Sequence, residues 1–102
     1  MSLSEAQKKH LRGLAHPLHP LVMVGSGIEE PGKREAIVKE LDGALTAHEL
    51  VKVSIRLGDR EARDEVLADL LTATQSELVQ RIGNVGVLYR PNLDKPRIVL
   101  PD

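Results

Sequence analysis

The sequence predicts an α/β fold: a single domain in the order α-β-α-β-α-β-β, with a mixed four-stranded sheet packed by helices. Three observations carry this. The apolar run Leu21–Val24 and the alternating run Val51–Leu57 are separated by a long amphipathic stretch, which is the pattern of two parallel strands joined by a crossover helix. A third helical pattern follows. Then Leu78–Ile82 and Val85–Arg90 flank Gly83-Asn84, a two-residue connection that makes a tight antiparallel hairpin.

The first helix is expected over residues 4–15. Ser4 stands at the N-cap with Gln7 three residues on, the spacing of a capping box. Leu11, Leu14 and Ala15 form its buried face, with Gln7 alongside. Lys8, Arg12 and His16 recur at i, i+4 and i+8, with Lys9 beside them, and so make a basic stripe on another face. The ordinary fate of such a stripe is a solvated helix surface; the sharper reading is a set of phosphate contacts. His16-Pro17-Leu18-His19-Pro20 ends the helix, because each Pro pushes its predecessor toward extended geometry. The two histidines do not read as a metal pair: Pro17 prevents a helical arrangement, and no Cys or nearby carboxylate completes a site. His16 instead caps the helix end or joins the basic stripe.

Leu21–Val24 is apolar at every position, which predicts a central strand. It runs into Gly25-Ser26-Gly27, a turn whose amides could face an anion ahead of a helix N-terminus. By itself G-x-G is a weak signal, since most such turns only turn the chain. Glu29 and Glu30 would repel a phosphate unless they turn back to cap the helix. Pro31 suits the first helical position. Ile37, Val38, Leu41, Ala44, Leu45 and His48 then repeat at helical spacing. Lys33 and Arg34 occupy the first turn, where cations oppose the helix dipole by about a few tenths of a kcal/mol each. That cost favours a reason outside stability, such as an anion.

In the second strand Lys52, Ser54 and Arg56 alternate with Val51, Val53, Ile55 and Leu57. Gly58-Asp59 caps a third helix, whose inner face is Ala62, Val66, Leu67, Leu70, Leu71 and Ala73. Asp59, Glu61, Asp64, Glu65 and Asp69 make its outer side acidic, and this helix is expected to face away from any polyanion. After the hairpin and Pro91, Ile98-Val99-Leu100 either covers the sheet edge or adds a short strand. His48 and Tyr89 are expected to be core or edge residues.

Composition narrows the function. The 102 residues are 41% hydrophobic, enough for one core without a staple. Tyr89 is the sole aromatic residue, which rules out a surface built from stacked rings. Fourteen basic residues balance fifteen acidic ones, so any polyanion site must come from segregated charge. There is no Cys, and no long apolar run or signal-peptide pattern; the expectation is a soluble cytoplasmic protein. No nucleophile elbow, plainly paired carboxylates or spaced phosphate signature supports catalysis. A small phosphate-handling enzyme built on the Gly25–Gly27 turn is the weakest of the readings.

At this point the chain resembles the CRM domain, the chloroplast RNA splicing and ribosome maturation module, in its stand-alone bacterial YhbY-like form. The likeness runs from Leu11 to Pro101. It is carried by Leu11-Arg12-Gly13-Leu14-Ala15-His16, Pro20, Val24-Gly25 and Glu40-Leu41-Asp42-Gly43-Ala44-Leu45. His48-Glu49-Leu50-Val51-Lys52-Val53, Glu77-Leu78-Val79-Gln80, Ile82-Gly83, Val87-Leu88-Tyr89-Arg90-Pro91 and Ile98 complete it. The resemblance implies a single CRM-like domain over 1–102, with its core at about 4–100, and a fold similar to the C-terminal domain of bacterial translation initiation factor 3. It implies RNA binding without catalysis and with no cofactor, small-molecule substrate or membrane. Stand-alone bacterial members are associated with precursors of the large ribosomal subunit, so ribosomal RNA is the expected partner and a monomer the expected form. The family's RNA-facing elements are a G-x-x-G loop after the first strand and basic residues nearby. Here Gly25 matches the first glycine, Ser26 stands where the family commonly has Lys, and Gly27 comes one residue early. The loop is also longer, running through Glu29-Glu30-Pro31-Gly32. The expected RNA-binding residues are therefore Lys8, Lys9, Arg12, His16, Gly25, Ser26, Gly27, Lys33 and Arg34. The alternative is a protein-interaction module that docks on a ribosomal protein or assembly factor through the exposed sheet or the acidic helix.

Overall fold

A computed structural model describes residues 2–102. The elements are α1 (Glu5–Ala15), β1 (Val22–Val24), α2 (Lys33–His48), β2 (Leu50–Ile55), α3 (Arg60–Thr74), β3 (Glu77–Ile82) and β4 (Val85–Tyr89). The order is the expected one. The sheet runs β1-β2-β4-β3, with β1 parallel to β2 and the other pairs antiparallel. Parallel neighbours need a crossover, which α2 supplies between β1 and β2, and the two-residue turn at Gly83 (φ 58°) closes the β3–β4 hairpin.

The strand period of two sends neighbouring residues to opposite faces. Val22, Val24, Val51, Val53, Ile55 and Leu88 face Leu41 and Leu45 of α2 and Val66, Leu67 and Leu70 of α3. Leu50, Val87, Tyr89 and Val79 face Leu11 and Ala15 of α1 on the other side, with Leu3, Ile98 and Leu100 packed against them. The sheet is thus sandwiched, two helices against one. Between Leu78 and Gln80 the β3–β4 register shifts by one residue, a β-bulge that leaves Val79 and Gln80 both toward α1 and Arg81 toward α3.

Four expectations need correction. β1 is an edge strand: its apolar residues split between the core (Val22, Val24) and solvent (Leu21 and Met23, each 53% exposed), because α1 covers β2, β4 and β3 but leaves this flank open. Pro31 does not begin α2. Gly32 at φ 84° is the N-cap, and two successive turns, Glu30 N to Gly27 O and Lys33 N to Glu30 O, carry the chain there. Leu14 is 41% exposed rather than core. His48 ends α2 in solvent, although Tyr89 is buried as expected. Of the two roles expected for the tail, it takes the covering one: it forms no strand and lies over the α1 side.

The tail is held by Glu49. This residue is fully buried at φ 65°, and its carboxylate accepts from the amides of Asn92, Arg97 and Ile98 at 2.7–2.8 Å. Three charge-assisted bonds satisfy a charge that would otherwise be costly to bury. Next to it, Arg90 donates to the Asp42 carboxylate and carbonyl, the Thr46 hydroxyl and the Thr74 carbonyl, joining the ends of α2 and α3. Burial raises the pKa of the Tyr89 phenol, and the Glu49 carboxylate adds to the effect.

Candidate nucleic-acid interface

The helix α1 forms where the sequence places it. Ser4 accepts from Gln7 N, and Gln7 reaches back to Ser4 N, a complete capping box. His16 is the C-cap, with its amide bonded to Arg12 O. Burying Leu11 and Ala15 against the sheet fixes the rotation of the helix about its axis. That rotation turns Lys8, Arg12 and His16 along one flank, with Lys9 exposed beside them. Among the described residues, none of Lys8, Lys9 or Arg12 takes part in an ion pair.

Arg12 and His16 do more than share a stripe. They line a cleft of about 250 Å³ between the end of α1 and the sheet, together with Lys52, Gln80, Ile82 and Val85. Lys52 comes from the centre of β2, and its ammonium is held by Leu18 O at 3.0 Å. Lys52 and Gln80 were not among the expected contacts. The alternation of Lys52, Ser54 and Arg56 put a cation on the non-core side of β2. What the sequence did not show is that α1 packs on that same side.

The loop after β1 behaves differently. Gly25 and Ser26 are exposed, and a side chain at Gly25 would meet nothing. Gly27 is needed for its φ of 89°, and a Cβ there would lie 2.5 Å from the Glu30 carboxylate. An acidic group therefore stands against the turn on which an anion would settle. Glu29 turns back to Arg34 at 2.6 Å, and Arg34 also binds Asp69 of α3. The expected contact at Arg34 is thus committed to two carboxylates, and the acidic side of α3 does not simply face away. Lys33 is exposed and forms no ion pair among the described residues. The start of α2 has no side-chain cap; the Lys33 amide donates instead to Glu30 O in the turn that leads into the helix.

The structure thus gathers Arg12, His16 and Lys52 in one cleft. It keeps Gly25, Ser26 and Lys33 exposed at the loop and ties Arg34 into the fold. A second hollow of about 490 Å³ on the same side is mainly apolar, with Leu14, Leu18, Leu21 and Ile98 in its wall beside His19, His48 and Lys52.

Comparison with known proteins places this geometry. A protein of Haemophilus influenzae named "RNA-binding protein" is 40% identical over 100 residues, covering 98% of this chain and 96% of the relative. The "Probable RNA-binding protein YqeI" of Bacillus subtilis is 38% identical over 99 residues, covering 97% and 99%. The solution structure of a Staphylococcus aureus protein described as a candidate RNA-binding protein superposes with a TM-score of 0.78 at 37% identity, covering 98% of this chain and all of that one. The model of the CRS1 / YhbY (CRM) domain matches residues 3–90, nearly the whole α/β sandwich. By sequence and by fold together, the chain belongs to the CRS1/YhbY (CRM) domain family.

Proposed function

We propose that this protein is a non-catalytic RNA-binding module that acts in the cytoplasm on ribosomal RNA in precursors of the large ribosomal subunit. The observation that carries the RNA reading is the convergence of Arg12, His16 and Lys52 in one cleft, continuous with Lys8 and Lys9 along α1. The names of the relatives support it. In a chain of net charge −1, such segregation creates a local attraction for phosphate that the whole molecule lacks. Gly25, Ser26, Gly27 and Lys33 extend the surface, while Arg34 acts by shaping the loop. The ribosomal target follows from the association of stand-alone bacterial members with subunit precursors.

The first test is the salt dependence of RNA affinity. With about four to six phosphates neutralised, log K falls against log salt with a slope of roughly −3 to −4. A flat dependence would refute phosphate contact. In cells, crosslinking and sequencing of the attached RNA across a subunit gradient should recover large-subunit precursor RNA; recovery of other RNA alone would refute the ribosomal target. A second reading, docking on a ribosomal or assembly protein, is favoured by the apolar hollow around Leu18 and Leu21. Under that reading Lys8→Glu with Arg12→Glu leaves partner binding intact, whereas under the first it abolishes RNA binding.

A further inference from the structure

A second cationic cleft lies across the hairpin from the α1 cleft. Arg60 and Arg63 from the start of α3 and Arg81 from β3 line it with Gly83, in a volume of about 280 Å³. None of the expected RNA contacts belongs to it. Three guanidinium groups wall one hollow, two of them at the end of a helix where the dipole is positive. Like charges near one another repel, and among the described residues only Arg81 of the three has a carboxylate partner.

The nearby carboxylates are largely spent elsewhere. Asp59 is the N-cap of α3 and accepts from Glu61 N. Asp64 binds Arg81. Glu61 lies exposed in the first turn. Arg60 is exposed and has no ion pair among the described residues. Arg63 is half-buried and fixed by a bond from Nη1 to Leu57 O at 2.8 Å, while its buried Nε has no acceptor among the described residues. The protein thus holds an immobilised guanidinium beside a free one and leaves their positive charge unmatched.

The position of the cleft says which anion fits. Ile82 lines the α1 cleft, and the next residue, Gly83, lines the arginine cleft. The two hollows lie on opposite faces of the sheet and adjoin along the edge strand β3, where Gln80 and Ile82 line one and Arg81 the other, and at this turn. Ile82, 66% exposed, forms the apolar ridge between them. A chain carrying regularly spaced phosphates and flat apolar bases matches cation, ridge, cation in that order. Arg suits the phosphodiester, since its planar fork can bond two oxygens at once.

We propose that Arg60, Arg63 and Arg81 form a second phosphate site, which takes the backbone of the same RNA strand that lies on the α1 face, the strand bending round the β3–β4 turn over Ile82. This rests on the RNA-binding reading above. The test uses a labelled oligouridylate of about twelve nucleotides, long enough for both clefts, and one of about four, which reaches only one. The variants are Arg60→Glu, and Arg60→Glu with Arg81→Gln, their folding checked by circular dichroism. The twelve-mer should bind the single variant about five- to tenfold more weakly. The salt slope should become shallower by about 0.7 for each phosphate no longer neutralised. The four-mer should show a smaller loss. Unchanged affinity and slope for the twelve-mer in both variants, with Lys8→Glu/Arg12→Glu still abolishing binding, would overturn the second site and leave the RNA reading standing. An unaltered protein that binds neither RNA in a salt-dependent way would overturn the RNA reading, and this site with it.

Discussion

The two ends of the sheet treat charge in opposite ways. At the end where β2 begins and β4 finishes, Glu49 and Arg90 have every strong bond supplied by the protein. At the other end, Arg12, His16, Lys33 and Arg60 surround the loop and the hairpin with no ion pair among the described residues. The first end spends charge on architecture: a buried group must be satisfied, so its partners are fixed. The second end leaves charge available, and cations left unpaired next to clefts are an attraction toward something outside the chain. Arg34 marks the boundary. It sits at the second end but is bonded like a residue of the first.

The strongest way to break the comparison is at Glu49. Glu49→Leu strands three amides of the tail, and unfolding in denaturant should show a loss of about 3 kcal/mol or more. RNA affinity of the remaining folded protein should hold within a factor of about two, because no cleft residue is touched; a large loss would mean the ends are coupled. Next in size is the converse change, Lys8→Glu with Arg12→Glu. It should take RNA binding below detection at moderate salt, a loss of more than about a hundredfold, while stability changes by no more than about 0.5 kcal/mol. Arg90→Lys keeps the charge but loses the fork across Asp42, Thr46 and Thr74, at a cost of about 1–2 kcal/mol in the same denaturant assay.

The loop should give a smaller effect of opposite sign. Glu30→Gln removes the carboxylate beside Gly27, and RNA should bind tighter by less than about tenfold. An unchanged affinity would take the loop out of the RNA-facing surface. Smallest of all is the effect of Tyr89 in alkali. The folded protein disfavours the phenolate, so this contribution is intact below the ordinary tyrosine value of 10.0 and is lost as pH rises through the raised one. With a single Tyr in the chain, the tyrosinate absorbance band should appear at higher pH in the folded protein than in the unfolded one.

The order of elements and the pairing of strands were legible because both rest on short-range rules. Ser4, Asp59 and Gly83-Asn84 announce their turns and caps locally. The position of β1 was not legible. An all-apolar run reads as central, and whether a helix covers its second face depends on the path of residues 16–21, which no local rule sets. The α1 stripe was visible as periodicity, but its meeting with Lys52 was not, since a strand and a whole helix separate the two along the chain. The commitment of Arg34 to Asp69 is hidden for the same reason: helices read one at a time show a basic start and an acidic side, never that the two touch.

The bulge in β3 has a consequence for the hairpin tip. Strand residues alternate like a two-beat count, and the extra residue at Val79 and Gln80 drops one beat. Everything after it swaps sides: Arg81 joins Arg60 and Arg63, and Ile82 turns toward Arg12. Regular pairing of Val79 with Val87 would instead place Arg81 on the α1 side and Ile82 beneath α3. Deleting Val79 would make the Leu78–Leu88 and Gln80–Val87 pairs consecutive and leave Arg81 and Ile82 on the faces they hold now. What holds the charge of the hairpin tip on the α3 side is therefore the pairing of Gln80, and not Val79, with Val87.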